Sequence, residues 1–226
     1  MNRRFLWLLL LTVGLRAYAQ ETAHVYPAIK RSGARVRDFV PAGWDTLATA
    51  KGDLNKDSLA DVAVVIQRKK TTSSAEDGFP EAEPRLLLVL FGARTGLNLA
   101  CQSNVAILLA DAGGAMGDPF EQLAIERGTL VTGFYGGSRD KWNMSYRYRY
   151  QQGDFYLIGA DAWGGNESYA YKYSYNLLTG RLQVEAQHEE TPGKNRKYQK
   201  VVKPANLPLL KSFEPWSLQV AEDIHF

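Results

Sequence analysis

The second half of the chain contains three consecutive pairs of β-type segments, and each pair is joined by a short turn that contains glycine. β-branched and aromatic residues are frequent in the segments, which is typical of strands. Short turns of this kind join antiparallel neighbours. The predicted hairpins are 123–126 with 129–135, 142–151 with 155–160, and 168–177 with 181–187. The sequence therefore predicts an all-β fold with little helix, an antiparallel meander of hairpins arranged as a sandwich, an open barrel or an incomplete propeller-like sheet.

Two uninterrupted apolar runs precede the hairpins. Residues 62–66 and 86–91 are almost entirely aliphatic, as in strands that are buried on both faces. The stretch 68–84 between them is polar and contains glycine and proline, which predicts an exposed loop. Helical patterns are short and are confined to 36–39 and 104–109.

The N-terminus has the three parts of an export signal. Arg3 and Arg4 precede an apolar run over 5–15, and small residues at 17 and 19 flank a tyrosine in a pattern typical of a cleavage site. The apolar run is shorter than the roughly 20 residues that span a bilayer. The sequence therefore predicts a signal peptide over 1–19, cleaved near Ala19, and a periplasmic or extracellular protein without a transmembrane segment.

The mature chain is predicted to be electrically neutral and to form one domain. The net charge of +3 comes from three arginines within the first nineteen residues, and a neutral chain argues against a nucleic-acid partner. Cys101, the only cysteine, lies among apolar residues and is predicted to fill core space. The predicted domain covers 20–226 and has three parts. These are a strand pair at about 47–98, the hairpin meander at about 120–190, and a basic, proline-rich C-terminal arm at about 191–226 that is predicted to be solvated.

An acidic loop leads directly into the first apolar run. Oxygen-bearing side chains stand at positions one, three, five and nine of this loop, and position seven offers a backbone carbonyl. Calcium takes several hard oxygen ligands, and three carboxylates held close together repel one another unless a cation lies between them. The predicted calcium ligands are Asp53, Asn55, Asp57, the carbonyl of Leu59, and Asp61. The alternative is an Asx-rich turn whose side chains cap its own backbone without a metal.

At these residues the sequence resembles the FG-GAP or VCBS repeat, the calcium-loop blade of integrin-α-like propellers. The resemblance covers about 47–98 and occurs once, and the segment 92–97 matches the turn that follows the second strand of the repeat. It implies the same five residues as ligands of a structural calcium ion. Short motifs at 38–41, 117–120 and 135–138 also resemble those of exported bacterial proteins of unassigned function.

Tyrosines alternate with other residues in two of the predicted strands, so that each set lies on one face of its strand. If the two strands are neighbours, the tyrosines form an aromatic face that stacks on sugars or receives a peptide. The predicted ligand-binding residues are Trp142, Tyr146, Tyr148, Tyr150, Tyr171 and Tyr173. The alternative is a half-buried sheet face with its hydroxyls at the rim.

These features together predict an exported, calcium-stabilised binding or interaction protein without catalytic activity, whose ligand is a glycan or a protein. The alternative is a hydrolase of envelope polymers that uses a pair of carboxylates as acid and base, with Asp118, Asp140 and Asp161 as candidates. Sequence spacing does not decide between the two, because the separation of two carboxylates is a property of the fold.

Overall fold

A computed structural model describes His24 and residues 26–70 and 82–226. The predicted signal peptide and its cleavage site lie outside the described residues, and so does most of the predicted exposed loop. Within the described part of the chain, no helix is both long and apolar enough to cross a membrane.

The regular secondary structure of the described residues is almost entirely β-strand. The strands are β1 (Ser32–Gly33), β2 (Trp44–Gly52), β3 (Asp61–Arg68), β4 (Arg85–Ala93), β5 (Gly96–Ser103), β6 (Phe120–Glu126), β7 (Thr129–Gly137), β8 (Lys141–Gln151), β9 (Asp154–Gly165), β10 (Tyr169–Asn176), β11 (Arg181–His188), β12 (Arg196–Val201), β13 (Gln219–Ala221) and β14 (Ile224–His225). Three short 3₁₀ helices cover Val36–Phe39, Gly114–Met116 and Pro192–Lys194. The predicted all-β class is confirmed.

The strands form two large antiparallel sheets and one small one. The five-stranded sheet has the order β1-β5-β4-β3-β2, the seven-stranded sheet runs β12-β11-β10-β9-β8-β7-β6, and β13 pairs with β14. The three predicted hairpins correspond to the pairs β6–β7, β8–β9 and β10–β11. The sheets are not closed into a barrel. Side chains from both large sheets enter one hydrophobic cluster, which is the arrangement of a sandwich.

The strands β3 and β4 of the five-stranded sheet are buried on both faces, which accounts for their uninterrupted apolar runs. Ala63 and Val65 of β3 point into the core that is shared with the seven-stranded sheet. Val64 and Ile66, on the opposite face of the same strand, pack against Phe39 and other residues of the N-terminal segment. Period-two alternation is therefore present in these strands, but both faces are apolar.

The C-terminal arm, predicted to be a solvated hairpin arm or linker, is exposed to solvent only in its first part. Its first part forms β12, which pairs with β11 at the edge of the seven-stranded sheet. Its last part crosses the inner face of that sheet, and Phe213 and Phe226 are buried there. Leu210 donates its backbone N–H to the carbonyl of Phe155 at 2.9 Å. The arm is anchored where β9 extends beyond β10, because Leu157 donates its backbone N–H to the carbonyl of Pro208 at 2.8 Å.

Two smaller predictions have different outcomes. Residues 36–39 form the predicted short helical segment, as a 3₁₀ helix. Residues 104–109 do not form a helix. Instead the hydroxyl of Ser103 accepts the N–H of Ala106 at 3.1 Å, and a buried turn results.

Cys101 is buried as predicted, and burial raises the pKa of its thiol to about 12.

Candidate ligand-binding groove and acidic loop

The tyrosines of β8 are core residues, and the prediction that Tyr146 and Tyr148 contact a ligand is wrong. Neither exposes any surface, because both face the shared core and Phe213 of the C-terminal segment packs on them. Tyr150 is half-buried and meets Phe91 of the other sheet edge to face, with ring centroids 4.9 Å apart. The alternation of tyrosine with arginine in β8 therefore marks a core face and a solvent face.

The tyrosines of β10 are arranged differently, because the inner face of β10 is less completely covered than that of β8. Tyr169, Tyr171 and Tyr173 are half-buried and stand in one row on the inner face. The rings of Tyr171 and Tyr173 stack with centroids 4.9 Å apart and an interplanar angle of 27°. Tyr169 stacks on Tyr171 at 6.5 Å, and His188 stacks on the outer side of Tyr169 at 5.9 Å. These side chains form a continuous aromatic wall.

An open groove of about 520 Å³ lies between this wall and the C-terminal segment. The floor contains Ala162 of β9, and the far side is formed by Trp216, Asp223 and His225. Trp142 of β8 supports the far side, because its ring meets that of Trp216 edge to face at 5.2 Å. We call this feature the aromatic groove, defined by Ala162, Tyr169, Tyr171, Tyr173, Trp216, Asp223 and His225.

Two glycines in neighbouring strands make room for the large rings. A Cβ atom at Gly136 of β7 would lie 2.8 Å from Cε2 of Trp142. A Cβ atom at Gly164 of β9 would lie 2.7 Å from the hydroxyl of Tyr171. Real Cβ atoms do not approach other heavy atoms so closely, so both rings fit only because positions 136 and 164 are glycine. The register places Trp142, Gly164 and Tyr171 in one cross-strand row.

A strained turn presents Trp216 to the groove. Ser217 donates its backbone N–H to the carbonyl of Glu214 at 3.2 Å, and Pro215 and Trp216 occupy the two central positions. Trp216 has a φ of 74°, a conformation that type II turns normally assign to glycine. Its backbone N–H is held by the hydroxyl of the buried Tyr146 at 3.1 Å. The left-handed conformation costs a bulky residue about 1–2 kcal/mol.

Polar groups lie along the rim of the groove. Burial, with neighbouring tyrosines and Asp140 adding to it, raises the pKa of Tyr171 to about 12. Burial also raises the pKa of Tyr173, so both hydroxyls remain protonated donors in the physiological range. Arg196 of β12 binds Asp223 at 2.6 Å through Nη1, and its Nη2 lies 3.5 Å from the hydroxyl of Tyr173.

In the acidic loop, Asp61 is the structural anchor. It exposes no surface, and both of its carboxylate oxygens accept backbone N–H groups. Oδ2 accepts from Leu54 at 2.7 Å and from Asn55 at 3.3 Å, while Oδ1 accepts from Gly92 of β4 at 2.8 Å. The carboxylate therefore ties the loop to two neighbouring strands. Leu54 itself is buried and fixes the loop on the core.

The other acidic side chains cap the loop from outside. Asp53 accepts the N–H groups of Lys56 at 2.6 Å and Ser58 at 3.0 Å. Asp57 accepts the N–H of Leu59 at 2.8 Å. Lys56 and Ser58 have φ values of 65° and 68°, so the backbone turns sharply at both residues. Ser58 stands at the position where the FG-GAP pattern has glycine. These contacts are those of an Asx-rich turn.

As folded, the loop does not gather its carboxylates around a cation. In residues 26–70 and 82–226, no three side chains of the His, Cys, Asp or Glu type lie close enough together to hold a metal ion. The donor types are suitable for calcium, but Asp53 and Asp57 would have to turn away from the amides that they now cap. The calcium site at Asp53, Asn55, Asp57, Leu59 and Asp61 stays a prediction.

The carboxylates proposed for a hydrolase lie in different surroundings. Asp118 binds the fully buried Arg85 with both oxygens, and Arg85 together with the Phe120 N–H holds the pKa of Asp118 below its usual range. A general acid needs a raised pKa, so Asp118 is unsuited to that role. Asp140 accepts a hydrogen bond from Asn166 at 2.5 Å, and Asp161 is exposed on the outer face, opposite the groove.

Comparison of the chain with protein-family models, with curated proteins and with solved structures gave no significant match. The resemblance to the FG-GAP or VCBS repeat therefore stays a prediction from the loop alone.

Sequence reasoning identified Trp142, Tyr171 and Tyr173 at the groove, but it missed Trp216, Asp223 and His225. The structure brings the first three together with the last three only because the C-terminal segment folds back over the inner face. One sequence signal could have found Trp216. It follows Pro215 in a turn-type tetrapeptide, where a large aromatic residue stands in a position that favours glycine.

Proposed function

We propose that this protein is an exported binding protein without catalytic activity and that a glycan is the ligand of its aromatic groove. The observation that carries the proposal is the stacked row of Tyr169, Tyr171 and Tyr173 facing Trp216 across Ala162. Small-molecule sites are concave, mostly apolar and lined by aromatic residues, with a few polar groups that fix orientation. The volume of about 520 Å³ lies within the range of such sites.

The shape of the groove favours a sugar ring. A pyranose has flat faces made of C–H groups and a polar edge made of hydroxyls, so it can lie against a flat aromatic surface and present its hydroxyls to a polar rim. Tyr171 and Tyr173 stack on each other, so they line one side of the groove with ring edges, and the 38% exposed indole of Trp216 on the opposite side offers the flat surface. Asp223 and His225 provide polar partners at the opposite side of the groove.

A peptide fits this site less well. Extended peptides usually bind by adding a strand to a free sheet edge, where backbone N–H and C=O groups are unpaired. The aromatic groove lies on a sheet face, and both β9 and β10 are paired on each side along the groove. A peptide would therefore find side chains in the groove, but no free ladder of backbone groups.

The strain at Trp216 supports a functional role for its ring. A glycine at this position would satisfy the turn without the left-handed penalty, and the turn is already held by Pro215 and by the hydrogen bond to Tyr146. Strained backbone conformations of this kind concentrate at binding sites. The cost of about 1–2 kcal/mol is understandable if the indole contacts a ligand.

The experiment is a glycan array followed by calorimetric titration with the best-binding oligosaccharide. Changing Trp216 to Ala should weaken binding at least tenfold, since a ring in a desolvated pocket is the type of residue that dominates binding energy. The matched control is Trp163→Ala, because Trp163 is 48% exposed on the outer face of the same strand that carries Ala162. Equal loss in both variants, or no glycan bound at all, would refute the proposal.

Export and calcium belong to the same proposal and have their own tests. N-terminal sequencing of protein recovered from outside the cytoplasm should begin at Gln20 if the chain is cleaved after Ala19. Calcium, if bound by the acidic loop, would stabilise the turn between β2 and β3. It would not touch the ligand, because neither strand contributes to the lining of the groove.

A further inference from the structure

A second cavity with basic side chains adjoins the aromatic groove at Asp223. This cavity has a volume of about 460 Å³, and Asp223 lines both spaces. Its other lining residues are His188, Gly193, Lys194 and Arg196. A ligand lying along the tyrosine row therefore has a path from an aromatic space into a cationic one.

The basic side chains are held in place by the turn between β11 and β12. Pro192–Lys194 forms a 3₁₀ helix, and Asn195 closes the turn by accepting the backbone N–H of His188 at 2.6 Å. The register pairs Arg196 with Ala186, a buried inner-face residue, so Arg196 points toward the groove. Its neighbour Lys197 points to the outer face, where it meets Glu185 at 3.2 Å.

The charges of the cavity do not cancel. Arg196 forms an ion pair with Asp223, which leaves guanidinium donors free because Arg has five N–H groups. Lys194 is exposed, and across the described ranges it has no carboxylate within ion-pair distance. Two cations and one carboxylate leave about one positive charge, which suits a single monoanionic group.

We propose that the ligand of the aromatic groove is an acidic saccharide, an oligomer of uronic acid residues. Its rings lie in the aromatic groove between the tyrosine row and Trp216, and the carboxylate of one residue binds between Lys194 and Arg196. This inference rests on the proposed glycan-binding function and adds the chemical class of the glycan. Arginine suits the task because its planar guanidinium matches the geometry of a carboxylate.

The test compares trigalacturonic acid with its methyl ester, which keeps the sugar rings but has no charge. Titration calorimetry at low salt should give the acid at least about tenfold tighter binding, and added salt should reduce the difference. Lys194→Gln should remove most of that advantage and leave binding of the ester unchanged. Arg196→Gln should remove the advantage and also weaken binding of the ester, because Arg196 contacts Asp223 and Tyr173 of the groove. Lys197→Gln is the matched control, since it removes a neighbouring charge on the opposite face.

The outcomes separate the two proposals. If acid and ester bind wild-type protein equally, the acidic class is wrong and the glycan-binding groove stands. If poly-L-glutamate binds as tightly as the acid, charge alone explains the interaction and the inference is also wrong. If neither saccharide binds and the glycan array is empty, the proposed function itself fails. If Arg196→Gln does not fold, Lys194→Gln still tests the inference, because Lys194 is exposed and makes no ion pair within the described ranges.

Discussion

Replacing Asp61 by Asn changes the charge of the loop anchor and almost nothing of its size. The carboxylate is fully buried and accepts three backbone N–H groups, from Leu54 and Asn55 in the loop and from Gly92 in β4. An asparagine side chain has one acceptor oxygen and one NH₂ group, and the NH₂ group cannot accept. At least one buried N–H would therefore face another donor.

The magnitude follows from these contacts. A hydrogen bond to a charged group contributes about 1.5–3 kcal/mol, and an unsatisfied buried donor costs about 1–3 kcal/mol. We expect Asp61→Asn to lower the free energy of unfolding by about 3 kcal/mol. Asp57→Asn is the control, because Asp57 is exposed and its hydrogen bonds lie within the loop. It should lower the free energy by less than about 1 kcal/mol.

The assay is urea denaturation in the presence of a chelator, so that no cation contributes. The midpoint for Asp61→Asn should fall while the slope stays constant, since the surface exposed on unfolding is unchanged. Equal midpoints for Asp61→Asn and wild type would refute the assignment of Asp61 as an anchor. A loss that appears only with calcium would show that Asp61 acts as a metal ligand instead.

Three further predictions concern a glycine behind the groove, the buried thiol and the acidic loop. Gly164→Ala should abolish glycan binding and destabilise the fold by about 1–3 kcal/mol, measured by titration and by denaturation, because the new methyl group would overlap both the backbone carbonyl of Lys141 and the Tyr171 side chain. Since burial raises the pKa of Cys101 to about 12 from 9.0, the unfolded thiol ionises first as the pH rises. Wild type should therefore lose roughly 1 kcal/mol relative to Cys101→Ala between pH 8 and pH 10, and a parallel pH dependence would contradict this. If the acidic loop binds calcium, calcium should raise the melting temperature above that in chelator, and Asp57→Ala should remove the difference; identical melts would exclude the site.

The strands were predictable because local signals agree with the fold. Glycine-containing turns predicted the hairpins, and continuous apolar runs predicted β3 and β4. The observed strand pairings contain these elements. The strand β12 was missed because its lysines and arginine are typical of a solvated segment. In an edge strand such charges protect the unpaired side against association with other chains, which local sequence alone does not reveal.

The groove was only partly predictable, because it depends on which strands the C-terminal segment and the other sheet cover. Tyr148 and Tyr171 have the same local pattern, yet Tyr148 is buried and Tyr171 lies at the groove. The difference comes from coverage, since the C-terminal segment and the other sheet lie over β8 and leave β10 partly open. Long-range packing of this kind is not encoded in the spacing of tyrosines.

Fluorine NMR of protein labelled with 5-fluorotryptophan tests most directly whether the ligand occupies the groove. Each indole gives its own resonance, and Trp44 and Trp163 lie in the other sheet and on the outer face. Saturating the protein with trigalacturonic acid should shift the resonances of Trp216 and Trp142 and leave those of Trp44 and Trp163 in place. A shift confined to Trp163, or none in a sample that binds the saccharide by calorimetry, would place the site elsewhere and contradict the account.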